Sequence, residues 1–161
     1  VLKHPTFWTK DKVLTFLQDV SDRVDKEEEG SYELDKIEED SLVVIRGDWQ
    51  LQLDEAVRSD LRLHRTYRSK SVRDLLRAIR NKKHHYRELT DEAKKMYGAM
   101  PGEFSDYWTS RFPRLVTHSY LAMQCVKYEN NFTRYYHKDY DYVPVSNIYQ
   151  VSNMLYFTSN N

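Results

Sequence analysis

Cysteine is almost missing from this chain. Cys125 stands alone, so no internal disulfide can form and no CxxC metal pair exists, which fits a reducing setting. Glycine and proline are also scarce, at 4 each in 161 residues, and this disfavours an all-β fold with many turns. The longest purely apolar run is Leu42-Val-Val-Ile45, far too short to span a bilayer, so no membrane contact is expected of this segment. The chain opens Val-Leu-Lys-His-Pro with neither a signal-peptide pattern nor an initiator Met, and a segment of a longer protein is the expectation. A length of 161 residues suits one domain, and a hydrophobic content of 40% argues against wholesale disorder.

Aromatic residues and unevenly spread charge are what the chain has in quantity. Thirteen Tyr and three Trp suit surfaces that are half apolar and half wet, such as protein interfaces and base-stacking sites, although most such residues lie at the edge of a core. The formal net charge is zero, yet Asp11–Asp40 holds 12 acidic against 4 basic residues, while Arg58–Glu88 holds 11 basic against 3 acidic. That asymmetry reads as a dipolar molecule with one polyanion-binding face; the plainer alternative is an Arg-rich helix that solvates a surface.

Apolar periodicity predicts an all-α domain of about seven helices, residues 1–138, followed by an extended or partly disordered tail over 139–161. Thr9 caps a first helix with Val13, Phe16, Leu17, Val20 and Val24 on one face, and the run Asp25–Gly30 reads as a solvated, mobile corner. Ser31 caps a short second helix. Leu42–Ile45 is either an extended piece or a helical turn, and Gly47-Asp48-Trp49 marks a turn. Leu53, Ala56, Val57 and Leu61 make a third helix, and His64–Lys70 reads as a loop. Ser71-Val-Arg-Asp74 outlines a capping box, followed by Val72, Leu75, Leu76 and Ile79 at helical spacing. The opposite face of that helix holds Arg73, Arg77, Arg80, Asn81 and His84. Thr90 caps a further helix, Phe104–Phe112 is an aromatic one, and Leu115, Val116, Tyr120, Met123 and Val126 line the last.

The segment Arg65–Glu88 gathers a phenol, guanidiniums, an amide and imidazoles. Metal-free RNA cleavage needs such a set: a base for the 2′-hydroxyl, donors for the charge growing on phosphorus, and an acid for the 5′-oxygen. Histidine suits acid or base work, arginine matches phosphate oxygens, and a tyrosine becomes a base only where cations stabilise its anion. Asn81 and His85 stand four apart, one above the other on a continuing helix, with Arg77 a turn earlier. Tyr67 must fold back over roughly 15–20 Å to reach them. Other readings stay open at this point. Arg80 would equally suit an ion pair with Asp74 or Glu88, Tyr67 would suit plain packing, and spacing does not choose between His84 and His85.

The residues resemble the kinase-extension nuclease domain found in inositol-requiring enzyme and ribonuclease L. The matching pieces are His4-Pro-x-Phe-Trp8, Asp19-Val-Ser-Asp-Arg23, Asp48-Trp49, Arg65-Thr-Tyr67, the uninterrupted Ser71–Leu89 and Thr109-Ser-Arg-Phe-Pro113. The resemblance runs from about His4 to Lys138 and is nearer to inositol-requiring enzyme; Asp25–Ser41 and the tail have no close match. It implies a helical, metal-independent endoribonuclease that needs no cofactor, cuts RNA stem-loops and leaves a 2′,3′-cyclic phosphate. Tyr67 takes the place of the general base and His85 that of the general acid, with Arg80 and Asn81 holding the phosphate. The basic residues Arg68, Lys70, Arg77, Lys82 and His84 would engage RNA. The family acts as a back-to-back homodimer beside a kinase or pseudokinase, in the cytoplasm or on the cytosolic face of the endoplasmic reticulum, within the unfolded protein response. The alternative is a non-catalytic RNA-binding or dimerisation module attached to a kinase or pseudokinase.

Overall fold

The computed structural model describes residues 3–136; the expected tail over 139–161 and the boundary at 138 lie outside them. Among the described residues the chain forms eight α-helices joined by 3-10 turns, with no strand. They are α1 (Lys10–Val24), α2 (Tyr32–Glu38), α3 (Ser41–Ile45), α4 (Glu55–Arg62), α5 (Val72–His84), α6 (Asp91–Tyr97), α7 (Gly102–Arg111) and α8 (Leu115–Ala122). None is long and apolar enough to cross a membrane.

The predicted caps are in place. Thr9, Ser31, Ser71 and Thr90 accept hydrogen bonds from the backbone N–H groups of Lys12, Leu34, Asp74 and Ala93, each satisfying one orphan donor of a helix start. At α5 the box is completed differently from the local pattern. Glu38, at the end of α2, accepts from the backbone N–H groups of Val72 at 3.0 Å and Arg73 at 3.1 Å, and from the Ser71 hydroxyl at 2.6 Å. A carboxylate thus sits at the positive end of the helix dipole, delivered from a distant segment. The Leu42–Ile45 run is helical: Val44 and Ile45 are buried, Leu42 and Val43 face outward, and Asp40 (φ 54°) and Arg46 (φ 52°) flank it in left-handed conformation.

At the centre α1 lies along α5. Phe16, Leu17, Val20 and Val24 on one and Leu75, Leu76 and Ile79 on the other all belong to one buried core. α7 and α8 cover α1, α2 rests on α5 and α8, and α4 pairs with α6. Most of the buried aromatic residues fall into two clusters. Tyr97, Phe104, Tyr107 and Trp108 join α6 to α7, with Tyr97 and Phe104 ring centroids 5.0 Å apart, and Trp8, Phe16 and Tyr135 meet against α1. Most of the tyrosine excess in the helical body is therefore packing, and burial pushes the Tyr107 phenol up to about 12, with its hydrogen bond to the Asp54 carboxylate acting in the same direction.

Acidic and basic stretches do not form separate faces. The corner after α1, expected to be solvated, is partly folded under α5. The Arg73 guanidinium donates to the carbonyls of Asp25 at 3.1 Å and Glu27 at 3.0 Å, and only 8% of Arg73 is exposed. Asp25 Oδ1 accepts from Arg77, and its Oδ2 accepts from Arg80 at 2.9 Å. Burial acts to raise the Asp25 carboxyl, but the hydrogen bonds from Arg77 and Arg80 outweigh it and hold the group below the usual carboxylate range. The basic face read from helical spacing is thus largely neutralised within the molecule, because uncompensated guanidiniums would be costly at that depth.

Candidate active site

Tyr67 lies in the loop between α4 and α5, and three backbone groups of that loop are held by the 3-10 turn Trp49–Gln52. The indole N–H of Trp49 donates to the carbonyl of Arg68 at 3.0 Å, its backbone N–H donates to that of Ser69 at 3.0 Å, and Gln50 Nε2 donates to that of Tyr67 at 2.9 Å. From the other side Asp74 Oδ2 accepts from the backbone N–H of Arg68 at 2.6 Å. The Trp49 and Tyr67 rings meet edge-to-face with centroids 6.0 Å apart. Held on both sides, the loop turns the buried phenol toward the last turn of α5.

There Asn81 Nδ2 donates to the Tyr67 hydroxyl at 3.0 Å. The opposite atom of that amide, Oδ1, accepts from Arg80 at 3.3 Å and 3.4 Å, and this pair of partners assigns the orientation of the amide. Arg80 is held in turn by Asp22 at 3.0 Å and Asp25 at 2.9 Å, not by Asp74 or Glu88. A relay therefore runs from two carboxylates of α1 and the residue after it through Arg80 and Asn81 to the phenol.

α5 ends at His84, and His85 is its C-cap, with its backbone N–H bonded to the Asn81 carbonyl at 2.9 Å. The His85 side chain is 61% exposed, and Nδ1 lies 2.9 Å from Glu88 Oε2. A carboxylate on Nδ1 fixes that nitrogen as the protonated one, steadies the ring and leaves Nε2 for other chemistry. His84 is exposed and has no hydrogen bond or ion pair among the described residues.

Tyr67, Asn81 and His85 line one cleft of about 430 Å³, together with His64, Arg65, Lys82, Glu88 and Leu89. Arg80 stands behind Asn81 and is not among the lining residues. Lys82, expected to contact RNA, is only 5% exposed, and its ammonium lies 2.6 Å from Asp60 Oδ2 and donates to the Asp60 carbonyl at 3.1 Å. Asp60 also accepts from the backbone N–H of Thr90 through Oδ1 at 3.2 Å, which ties the cleft floor to the start of α6. Arg77, expected in the same role, is committed to Asp25 and Asp74. Arg68 and Lys70 are exposed on the loop, Arg68 near Glu29 and Asp74. Sequence reasoning did not single out His64, Glu88, Asp22, Asp25 and Asp60 as parts of this site. Only Glu88 carried a local signal, three residues after a histidine.

A hydroxyl with a donor on its oxygen, an amide and an imidazole backed by a carboxylate, facing one cleft, can move protons and hold an anionic centre. The profile of a family described as Ribonuclease 2-5A matches residues 13–136. The chain is 51% identical over 139 residues to the serine/threonine-protein kinase/endoribonuclease ire-1 of Caenorhabditis elegans, covering 86% of this chain and 14% of that protein. It is 45% identical over 139 residues to the serine/threonine-protein kinase/endoribonuclease IRE2 of Homo sapiens, covering 86% of this chain and 15% of that protein. With the sensor for unfolded proteins in the ER ire1 of Schizosaccharomyces pombe the identity is 38% over 138 residues, covering 84% of this chain and 13% of that protein. The chain thus spans about one seventh of the length of these relatives. A profile match across nearly the whole helical body, together with these identities, places the chain in the Ribonuclease 2-5A family, as a kinase-extension nuclease domain.

Proposed function

We propose that this domain is a metal-independent endoribonuclease. Tyr67 takes the proton of a 2′-hydroxyl, and the 2′-oxygen attacks phosphorus. The bond from phosphorus to the 5′-oxygen breaks as His85, in its imidazolium form, protonates that oxygen. The products are a 2′,3′-cyclic phosphate and a 5′-hydroxyl. Asn81 meets the phosphate and steadies charge at the phenolic oxygen, while Arg80 supplies positive charge from behind and keeps the amide turned. Glu88 stabilises the imidazolium before transfer. Arg68, Lys70 and His84 extend the RNA surface, and Arg77 and Lys82 support it from beneath. The observation that carries this reading is the bond between Asn81 and the Tyr67 hydroxyl, beside a carboxylate-backed His85 in the same cleft.

In the parent protein the domain follows a kinase or pseudokinase, works as a homodimer on RNA stem-loops in the cytosol or at the cytosolic face of the endoplasmic reticulum, and serves the response to unfolded proteins. The relatives named as kinase/endoribonucleases and as an unfolded-protein sensor support this placement. Mass spectrometry of RNA ends tests it: wild type at high concentration in EDTA generates cyclic-phosphate ends, and His85→Ala lowers the rate by about 10²–10⁴-fold. Cleavage abolished by EDTA, or unaffected by His85→Ala, defeats the mechanism. Salt-sensitive binding with no new ends is the outcome of the non-catalytic alternative.

A further inference from the structure

The loop wall of the cleft carries two residues that the reaction above leaves unused. His64 and Arg65 precede Tyr67, line the same cleft and are both exposed. Among the described residues neither side chain has a hydrogen bond, an ion pair or a ring contact. Their surroundings make this unusual. Of the Lys and Arg residues that line the cleft, Lys82 is paired with Asp60, and behind the lining Arg80 is paired with Asp22 and Asp25. Arg65 therefore offers the cleft a guanidinium with all its donors free, the group that matches a phosphate bidentately. His64 offers a planar ring whose faces no other ring covers, a surface on which a base can stack. A volume of about 430 Å³ takes a single small ligand rather than a folded strand.

We propose that His64 and Arg65 form a nucleotide subsite beside the scissile bond, in which Arg65 holds the phosphate that flanks the one being cut and His64 stacks on the neighbouring base. This rests on the ribonuclease reading of the cleft. Tyr67 lies two residues from Arg65, so the flanking phosphate and the reacting 2′-hydroxyl are held by one short piece of chain, and that piece is the one anchored by Trp49 and Gln50. Binding energy collected at the subsite thereby positions the ribose against the phenol.

The test uses this chain and a stem-loop RNA with a 2′-deoxy nucleotide at the cut, so that binding is read without cleavage, alongside the cleavable stem-loop. Arg65→Ala is expected to weaken binding about tenfold and to flatten the plot of log affinity against log salt by about 0.7–0.9, the share of one phosphate. Arg65→Lys recovers the salt slope but only part of the affinity, since the fork is lost. His64→Ala weakens binding about tenfold without changing the slope, and His64→Phe recovers most of that loss, as stacking requires. On the cleavable RNA both alanine variants raise KM more than they lower kcat. Unchanged affinity and slope in Arg65→Ala overturns the phosphate contact, and equal losses in His64→Ala and His64→Phe overturn the stacking. If wild type binds but does not cut, the nuclease reading fails while the subsite stands or falls on these binding constants; if wild type binds no RNA, both fail.

Discussion

The two ends of α5 meet opposite electrostatic surroundings. From Arg73 to Arg80 its polar face is turned inward, and every guanidinium there has acidic or carbonyl partners on or just after α1. Beyond Arg80, Asn81 and His85 line a cleft, while Lys82 between them is buried against Asp60 and Lys83 reaches back to Gln18 on α1; among the described residues the only carboxylate lining that cleft, Glu88, is engaged with His85. Polar side chains of one helix and its C-cap thus tie the fold together at one end and face an open cleft at the other. The division follows from what is opposite them: the acidic corner ends near Arg80, and beyond it the facing wall is the loop His64–Tyr67. An Arg-rich helix face is therefore poor evidence for RNA contact until its acidic partners have been counted.

Lys82 lies at the boundary between the two ends and gives the largest expected effect. Its partner Asp60 is 2% exposed, so Lys82→Ala leaves a buried carboxylate without its cation. A loss of about 3–5 kcal/mol is expected in urea unfolding. The double variant Lys82→Met with Asp60→Asn should recover a large part of it, because the pair is then removed as a unit. A Lys82→Ala protein of unchanged stability but much weaker RNA binding would move Lys82 to the open end of the helix and break the comparison.

The buried end is probed next by Asp25→Asn. It deprives Arg77 and Arg80 of a shared carboxylate that is partly open to solvent, for an expected loss of about 1–3 kcal/mol at pH 7. The pH dependence has a definite sign. The Asp25 carboxyl is held below its ordinary value in the folded state, so the stability it contributes is fully present above the unfolded value of about 3.9 and is lost as pH falls through the folded value. The gap between wild type and Asp25→Asn is therefore constant from pH 7 to about 5 and closes below about 4. A gap that widens in acid would show that Asp25 is not the group being paired.

Local chemistry was readable in the sequence and long-range pairing was not. The Ser71 cap and the stripe Val72, Leu75, Leu76, Ile79 depend on neighbours within two turns, and both are present in the structure. The Leu42–Ile45 run was ambiguous because a short β-branched segment has no period of its own. Glu38 closing the start of α5, and Asp25 clamping its middle, join residues 34 to 55 positions apart, which no local pattern announces. The placement of Tyr67 depends on Trp49 and Gln50, whose sequence neighbourhood says only that a turn is there. Spacing left His84 and His85 equal. They differ because α5 ends between them, which sends His85 toward Glu88 and leaves His84 in solvent.

The open end is probed most gently by Glu88→Gln. Glu88 is exposed, so its bond to His85 contributes little to folding, and the unfolding midpoint should not move. In the reaction proposed above its influence is through the imidazole. A carboxylate on Nδ1 stabilises the cationic ring and keeps Nε2 directed at the leaving oxygen, whereas a glutamine amide can hold the ring without the charge. The expected result is a fall in kcat of about three- to tenfold with KM nearly unchanged, since the contact matters when the proton moves and not when RNA binds. Glu88→Ala should cost more than Glu88→Gln, because it removes orientation along with charge. A matching fall in stability in both variants would mean that the two ends of α5 are less distinct than their surroundings indicate, and equal kcat in wild type and both variants would place the orienting group of His85 elsewhere.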